Sequence, residues 1–327
     1  MPDTVRWGII GCGNIARKFA GCLSAVPGAS LEAVAARDLA KAEAFAADTG
    51  AARAVAGYEA LVADSAIDAV YVATPHPMHE AAVRLAIEAG KPTLCEKPFA
   101  VNRASAEATI ALARAKGVFL MEAMWTRFLP VSRQVAQWLA DGAIGDVRLA
   151  TIDFAFRAGF NPESRLFSPA LAGGGLLDVG VYTIAYANMV FGALPTKAVG
   201  LATLGESGVD EVAGYVLSYP GGGLGVLSCG VRVSTRHEAC IDGSTGRIVV
   251  PNYWNGSRAT LHAEGREPVT VDLPHEGNGF EYEVREVQRC LAAGLTESPT
   301  MSLDETLAIA GAMDDLRAQW GLRYPME

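Results

Sequence analysis

Val5-Arg6-Trp7-Gly8-Ile9-Ile10-Gly11-Cys12-Gly13-Asn14-Ile15-Ala16 is an apolar run that ends in a glycine-rich loop and passes into an amphipathic stretch. Gly-x-Gly-x-x-Ala is a weak signal by itself; between a strand and a helix each small residue has a mechanical task. Gly11 allows the tight turn, Gly13 lets the backbone approach a pyrophosphate, and Ala16 permits close packing of helix on strand. Asn14 and Ile15 open the helix, where free N–H groups and the helix dipole favour negative charge. The loop predicts a dinucleotide-binding unit that starts at Val5.

Outward from the loop, short apolar runs alternate with longer alanine-rich stretches to about residue 121, the pattern of βαβ units and a parallel sheet. Further strands are expected at 31–36, 52–55, 67–73, 93–95 and 118–121, with helices at 15–25, 39–47, 79–89 and 103–116. Ala69-Val70-Tyr71-Val72-Ala73 is apolar throughout, as a strand covered on both faces should be. After Pro130 the pattern changes. Long strand candidates at 147–156, 197–204, 211–219, 223–233, 238–242 and 247–250 are mostly separated by glycine-rich turns, which suit an antiparallel sheet. One helix is expected at 176–191, and helices at 281–293 and 302–316 close the chain. The fold class is therefore an α/β Rossmann domain over residues 1–125, followed by an α+β domain over 126–327, either of whose closing helices can pack back on the first.

Composition narrows the function classes. With 327 residues, 50% hydrophobic and 19% charged, the chain is an ordinary globular one with length for two domains. It has no run of about 18 consecutive apolar residues, so no membrane span is expected. The net charge of −9 argues against extended phosphate-backbone binding, so no nucleic-acid partner is expected. Cys12, Cys22, Cys95, Cys229, Cys240 and Cys290 are dispersed with no Cys-x-x-Cys pair, and neither a metal cluster nor a disulfide framework is expected. With no signal-like stretch ahead of the first strand, a cytoplasmic location is expected.

The second strand ends Ala36-Arg37-Asp38. An arginine there accommodates the extra phosphate of NADP, and an acidic residue the ribose hydroxyls of NAD. Arg37, with Lys41 one helical turn on, makes NADP the preferred cofactor; Asp38 keeps NAD open.

Ligands of such sheets bind beyond the carboxyl ends of the strands. Thr74-Pro75-His76-Pro77-Met78-His79 leaves the central strand, and Thr74, His76 and His79 are expected to border the cofactor or substrate; a structural role for both histidines is the competing reading. Metal binding is not expected, since no acidic or thiol ligands accompany them. Cys95-Glu96-Lys97-Pro98 follows the fifth strand, where Glu96 and Lys97 would meet the cofactor. The Lys97 ammonium can also hydrogen-bond a reacting oxygen and lower the pKa of a neighbouring proton-transfer group. Gly173-Gly174-Gly175-Leu176-Leu177-Asp178-Val179-Gly180-Val181-Tyr182 places Asp178 and Tyr182 four apart on one helix face. A buried, hydrogen-bonded Asp-Tyr pair is the alternative.

Gly11 to Ala16, Glu96-Lys97-Pro98 and the Gly173 to Tyr182 segment together resemble the glucose-fructose oxidoreductase and inositol dehydrogenase family (Gfo/Idh/MocA), over the whole chain. Met121-Glu122-Ala123-Met124-Trp125-Thr126-Arg127-Phe128-Leu129-Pro130, Ala35-Ala36-Arg37-Asp38, Leu94 to Pro98 and Glu297-Ser298-Pro299 are similar to its dimeric dihydrodiol and NADP-dependent D-xylose dehydrogenase branch. The resemblance implies an open-faced, mainly antiparallel second sheet, often a homodimer interface, and a cis peptide before Pro98. It implies that Lys97 assists proton transfer, Asp178 orients substrate and Tyr182 is the acid/base. A tyrosine, with its unperturbed pKa of about 10, needs a nearby cation to act as base near neutrality. Inositol dehydrogenases carry histidine where this chain has Tyr182, which favours the dihydrodiol and sugar branch.

Trp125, Arg127, Phe154, Trp254 and Phe280 match that branch's substrate pocket; ordinary core packing is the alternative, most of all for Phe154 on an alternating strand. The expected activity is a reversible NAD(P)-dependent dehydrogenase of a cyclic polyol, an aldopyranose such as D-xylose or a trans-dihydrodiol. Two readings compete: a non-catalytic NAD(P)-sensing regulator, and a glucose-fructose oxidoreductase type with tightly held NADP. Relatives of the last type clasp the nucleotide with an N-terminal arm, and here the first strand starts at Val5.

Overall fold

The computed structural model describes residues 4–327, which form two compact units. In the first, strands β1 (Val5–Ile10), β2 (Ala29–Ala36), β3 (Arg53–Ala56), β4 (Ala69–Val72), β5 (Thr93–Glu96) and β6 (Leu120–Ala123) alternate with helices α1 (Asn14–Leu23), α2 (Leu39–Thr49), α3 (Tyr58–Val62), α4 (His79–Glu88) and α5 (Arg103–Lys116). The strand order is β3-β2-β1-β4-β5-β6, and every pairing is parallel. The order reverses between β1 and β4, which makes their carboxyl ends the topological switch point. All four residues of β4 are buried, as its unbroken apolar run predicts. Local chemistry sets the helix ends. The Asp38 carboxylate accepts the Ala40 N–H at 3.0 Å and caps α2, which stops at Gly50 with φ +76°. Asn102 caps α5 in the same way through the Ser105 N–H, and Gly117 ends it.

The second unit opens with α6 (Pro130–Ala140) and contains β7 (Val147–Ala155), α7 (Val181–Phe191) and strands β8 (Lys197–Leu204), β9 (Asp210–Ser218), β10 (Leu224–Gly230), β11 (Glu238–Gly243), β12 (Gly246–Pro251), β13 (Arg258–Ala263) and β14 (Val269–Asp272). The eight strands lie in the order β14-β13-β12-β11-β7-β10-β9-β8; β7 and β10 run parallel, and all other neighbours are antiparallel. α7 covers one face, packing on β7 and β10. Ala150, Ile152, Leu217, Leu227, Ile241 and Ile248 point inward and are buried. On the opposite face the register aligns Val199, Val216, Val226, Thr151, Cys240, Val249 and Thr260 in one row across seven strands. Its apolar end is exposed, with Leu201 83% and Val199 47% accessible and Val212, Val216, Leu224 and Val226 beside them.

The segment Pro169–Phe191 is long and apolar enough to cross a bilayer, with a mean hydropathy of 1.3, although its sequence is not an unbroken apolar run. Of its most apolar 18-residue window 89% is buried inside the fold, as in a core helix.

Helices α8 (Glu281–Ala292) and α9 (Leu303–Trp320) complete the chain. Unit one is Met1–Trp125 with Glu276–Thr306, and unit two is Thr126–His275 with Leu307–Glu327. In this division α8 lies with the first unit, an arrangement that the sequence reading of the closing helices left open. Asn278 donates to the Lys18 carbonyl at 2.7 Å, Gln288 to the Gly28 carbonyl at 2.5 Å, and the Leu120 N–H to the Thr296 carbonyl at 3.0 Å, so the segment closes on α1, β2 and β6.

Candidate active site

In the first unit the loop after β1 meets the loop after β4. Gly11 has φ +107°, and a Cβ there would stand 2.7 Å from the Ala73 carbonyl oxygen, so the turn and the close approach both demand glycine. Gly13 is exposed, and a Cβ on it would project into open space, the room a pyrophosphate needs. Gly13 also precedes an α1 with no side-chain cap and no acidic residue in its first turn, while Ala16 is fully buried against the sheet. Asn14 is exposed and Ile15 half-buried. Thr74, at the end of β4, is buried with no hydrogen-bond partner for its hydroxyl. These residues fit a bound dinucleotide at the switch point. Arg37, Asp38 and Lys41 are exposed beyond β2, but Asp38 already spends one carboxylate oxygen on capping α2.

His79 is corrected from a ligand contact to a strut. It is fully buried, its Nδ1 is 2.9 Å from the Pro98 carbonyl and its Nε2 2.8 Å from the Thr74 carbonyl, so it ties the two loops together. Burial holds its pKa down. His76 stays half-buried, edge-on to His79 at 5.8 Å. Glu96, expected to meet the cofactor, has a buried carboxylate that accepts the Tyr71 hydroxyl and the Lys97 N–H. Lys97 remains half-buried at the end of β5, and the Lys97–Pro98 peptide is cis.

Behind this segment lie buried acids that the sequence did not single out. Glu122 of β6 accepts the Phe99 N–H at 3.0 Å and the Thr306 hydroxyl at 2.9 Å, and burial pushes its carboxyl up to about 7. Glu283 of α8 is fully buried with no hydrogen bond to either oxygen; burial first, then Glu96 and Glu281, hold its pKa well above the usual carboxylate range. Trp125 and Phe280, expected in the substrate pocket, stack on each other at 5.1 Å within this unit.

The second unit brings Asp178 and Tyr182 onto one helical stretch, with a π-helical turn over Leu176–Gly180 that runs into α7. Both are nearly buried, at 4% and 7% exposed. Arg165, a residue sequence reasoning missed, pairs with Asp178 at 2.6 Å while its own side chain stays 58% exposed. A lone arginine in the irregular Pro162 to Ser168 loop carries no periodic signal, so only the folded chain reveals it. Phe154 lies 5.5 Å from the Tyr182 ring and stacks on Trp254 at 4.7 Å and 15°. His237, also missed, fixes that wall: its Nδ1 accepts the Trp254 indole N–H at 3.4 Å, and its Nε2–H donates to the Ala155 carbonyl at 2.7 Å, the pattern of one neutral tautomer. The Thr126 hydroxyl holds the Trp254 carbonyl from the other side. Arg127 donates to the Ala185 carbonyl of α7 at 3.1 Å, which places it against the helix that carries Tyr182. Phe154, Trp254 and Tyr182 are thus brought together, with Asp178 and Arg165 one turn away.

A cavity of about 570 Å³ opens elsewhere in this unit, between the carboxyl ends of α6 and α7. Its lining, with Leu139, Arg148, Phe191 and Pro220 among it, holds no acid/base pair like Asp178 and Tyr182.

The family described as an oxidoreductase family with an NAD-binding Rossmann fold matches residues 5–124, and the GFO/IDH/MocA C-terminal domain matches residues 132–249. The trans-1,2-dihydrobenzene-1,2-diol dehydrogenase of Mus musculus is 37% identical over 331 residues, 99% of both chains, and that of Xenopus laevis 38% identical over 332 residues, 98% of this chain and 99% of its own. Among solved structures, the 3-ketoreductase KijD10 of Actinomadura kijaniata with NADP and TDP-benzene superposes with a TM-score of 0.84 at 28% identity, covering 96% of this chain and 97% of its own. The aldose-aldose oxidoreductase of Caulobacter crescentus, at 24% identity and a TM-score of 0.85 over 94% of each chain, shares the fold. A glycine loop at a parallel switch point, an Asp-Tyr pair on the helix of a mainly antiparallel sheet, and these full-length matches lead to one conclusion: the chain belongs to the GFO/IDH/MocA family of NAD(P)-binding oxidoreductases.

Proposed function

We propose that this enzyme is an NADP-preferring dehydrogenase of cyclic polyols, an aldopyranose or a trans-dihydrodiol, with Tyr182 as its acid/base. The observation that carries the reading is the aromatic wall of Phe154 and Trp254 beside the Tyr182 phenol, next to a carboxylate with its own cation. An apolar wall suits the flat face of a saturated or diene ring, and polar groups at its edge suit the ring hydroxyls. Tyr182 takes the proton of the reacting hydroxyl, and Asp178, held by Arg165, accepts a hydrogen bond from a neighbouring hydroxyl and orients the ring. Lys97 is the proton-transfer assistant that the family resemblance implies. Gly11, Gly13 and Thr74 would hold the dinucleotide, whose nicotinamide would supply reversible hydride transfer. NADP is preferred because Arg37 and Lys41 are exposed beyond β2 while Asp38 is engaged as a cap. The ketoreductase solved with NADP supports that cofactor, and the relatives' name supports the trans-dihydrodiol as substrate.

Initial rates with NADP and NAD across aldoses, inositols and trans-dihydrodiols test the reading. Turnover with at least one of these rings is expected, at higher kcat/KM with NADP. Tyr182→Phe should lose turnover and keep NADPH binding; a Tyr182→Phe enzyme of normal kcat would refute the assignment.

A homodimer through the exposed face of the second sheet belongs to the same proposal. Val199, Leu201, Val212, Val216, Leu224 and Val226 form a contiguous apolar patch that a second copy would cover. Leu201→Lys with Val216→Lys is expected to give a monomer in sedimentation, and an unchanged sedimentation coefficient would count against this face.

A further inference from the structure

Gly173-Gly174-Gly175 leads into the turn that carries Asp178, and all three glycines are crowded. A Cβ on Gly173 would stand 2.7 Å from the Arg165 and Leu166 carbonyl oxygens, and one on Gly175 would stand 2.9 Å from Gly230 Cα. Gly174 has φ +115°, and a Cβ there would collide with the carboxylate of Asp210. Asp210 is the first residue of β9, has no exposed surface, and through Oδ2 accepts the Leu176 N–H at 2.6 Å. The turn is anchored again where the Tyr324 hydroxyl donates to the Gly173 carbonyl at 2.6 Å and the Gly174 N–H donates to the Leu166 carbonyl at 2.9 Å. The Asp178 N–H in turn donates to the Gly174 carbonyl at 3.3 Å, so a shift of Gly174 is a shift of Asp178.

A carboxylate in this place costs desolvation energy that an apolar or amide side chain would avoid. What it supplies is a charge-assisted bond to a helix N-terminus, in line with the dipole of the stretch that bears Asp178 and Tyr182. We propose that Asp210 is a positioning residue, whose buried carboxylate clamps the triple-glycine turn and thereby holds Asp178, and Tyr182 one turn further on, in the geometry for proton transfer. The inference rests on Tyr182 being the acid/base. It adds a residue that touches neither substrate nor cofactor. Burial pushes the Asp210 carboxyl up to about 7, against the N–H groups of Leu176 and Gly175 and the charge of Arg317, which pull it down. The other titratable groups that face it are Tyr324 and, from β10, Cys229. Arg317 is itself engaged with Asp314 and Glu327, so the carboxylate is only partly compensated.

Asp210→Asn keeps the size and one acceptor oxygen but removes the charge. In the full-length enzyme it is expected to lower kcat about tenfold or more, the worth of one hydrogen bond to a charged group, with NADPH binding little changed. Hydrogen exchange of residues 173–182 should quicken while that of β1 and β4 stays as it was. Wild-type kcat should fall as pH drops through about 7 and the clamp is protonated; the Asn variant should lack that limb. Normal kcat, or a lowered kcat with the wild-type pH profile, overturns the proposal, as does unchanged exchange over 173–182. Should Asp210→Asn fail to fold, the wild-type exchange over 173–182, measured across the same pH range, decides in its place: protection lost as pH falls supports the clamp and constant protection overturns it. Active Tyr182→Phe would refute the acid/base reading, and the exchange data would still report on the clamp, so the two failures are distinguishable.

Discussion

Replacing Glu122 with Gln should make the first unit more stable at alkaline pH and leave it nearly unchanged in acid. Glu122 is 1% exposed, and its two oxygens accept the Phe99 N–H and the Thr306 hydroxyl, bonds that a glutamine can keep if the threonine hydroxyl turns to accept. Burial raises the carboxyl from an ordinary 4.5 to about 7. A carboxyl raised in the folded state binds its proton more tightly there than in the unfolded chain, so its contribution is full below 4.5 and is lost as pH rises through about 7. At 1.36 kcal/mol for each pH unit between these limits, the loss is about 3 kcal/mol. Gln does not titrate, so the stability difference between variant and wild type should grow by about 3 kcal/mol from pH 4.5 to pH 8, or about 1–2 M in the urea midpoint. Equilibrium urea unfolding followed by circular dichroism at both pH values measures it. Taking the difference between the two proteins cancels the other buried acids, Glu283 among them. A midpoint difference that is the same at pH 4.5 and pH 8 would refute the reasoning.

Arg37→Ala is expected to weaken NADPH about 10- to 100-fold, the loss of a hydrogen bond between charged groups, with NADH little affected. Fluorescence titration with both nucleotides checks it, and equal effects on the two would remove Arg37 from the phosphate site. Gly11→Ala combines a strained φ with a 2.7 Å approach to the Ala73 carbonyl and should cost about 1–3 kcal/mol of stability together with nucleotide affinity; thermal unfolding and the same titration read both. Arg165→Met strips Asp178 of its paired cation and should lower kcat/KM more than Arg165→Lys, which keeps the charge. Steady-state kinetics in which the two variants behave alike would show that the charge is not what matters.

Much of the first unit is legible from its sequence because helix and strand signals there are strong and local. The glycine loop, the fully apolar β4 and the 103–116 helix each follow from residues within one element. The losses occur where the signal is distant or diluted. β13 and β14 were not foreseen because Ala259 is the only fully buried residue in either, so alternation is faint. α6 begins with Pro130 at its first position, a helix start that reads equally well as a break. Within the site, Asp178 and Tyr182 were found from their four-residue spacing. Arg165, His237 and Asp210 join them only through contacts between separate loops and strands, which periodicity does not encode. His79 misleads for the opposite reason: it stands at the right place in the chain, but both of its ring nitrogens are committed to neighbouring carbonyls.

The return of residues 276–306 to the first unit gives the chain a delayed closure. Some 150 residues of a second unit are synthesised between Trp125 and Glu276, so during translation β6 waits for the Thr296 carbonyl and Trp125 waits for the ring of Phe280. Loop-closure entropy grows only slowly with such a span, which makes the interruption cheap at equilibrium yet real in time. A fragment that ends at Trp125 should therefore remain a partly opened sheet sensitive to protease, and adding the 276–306 peptide in trans should restore its protection.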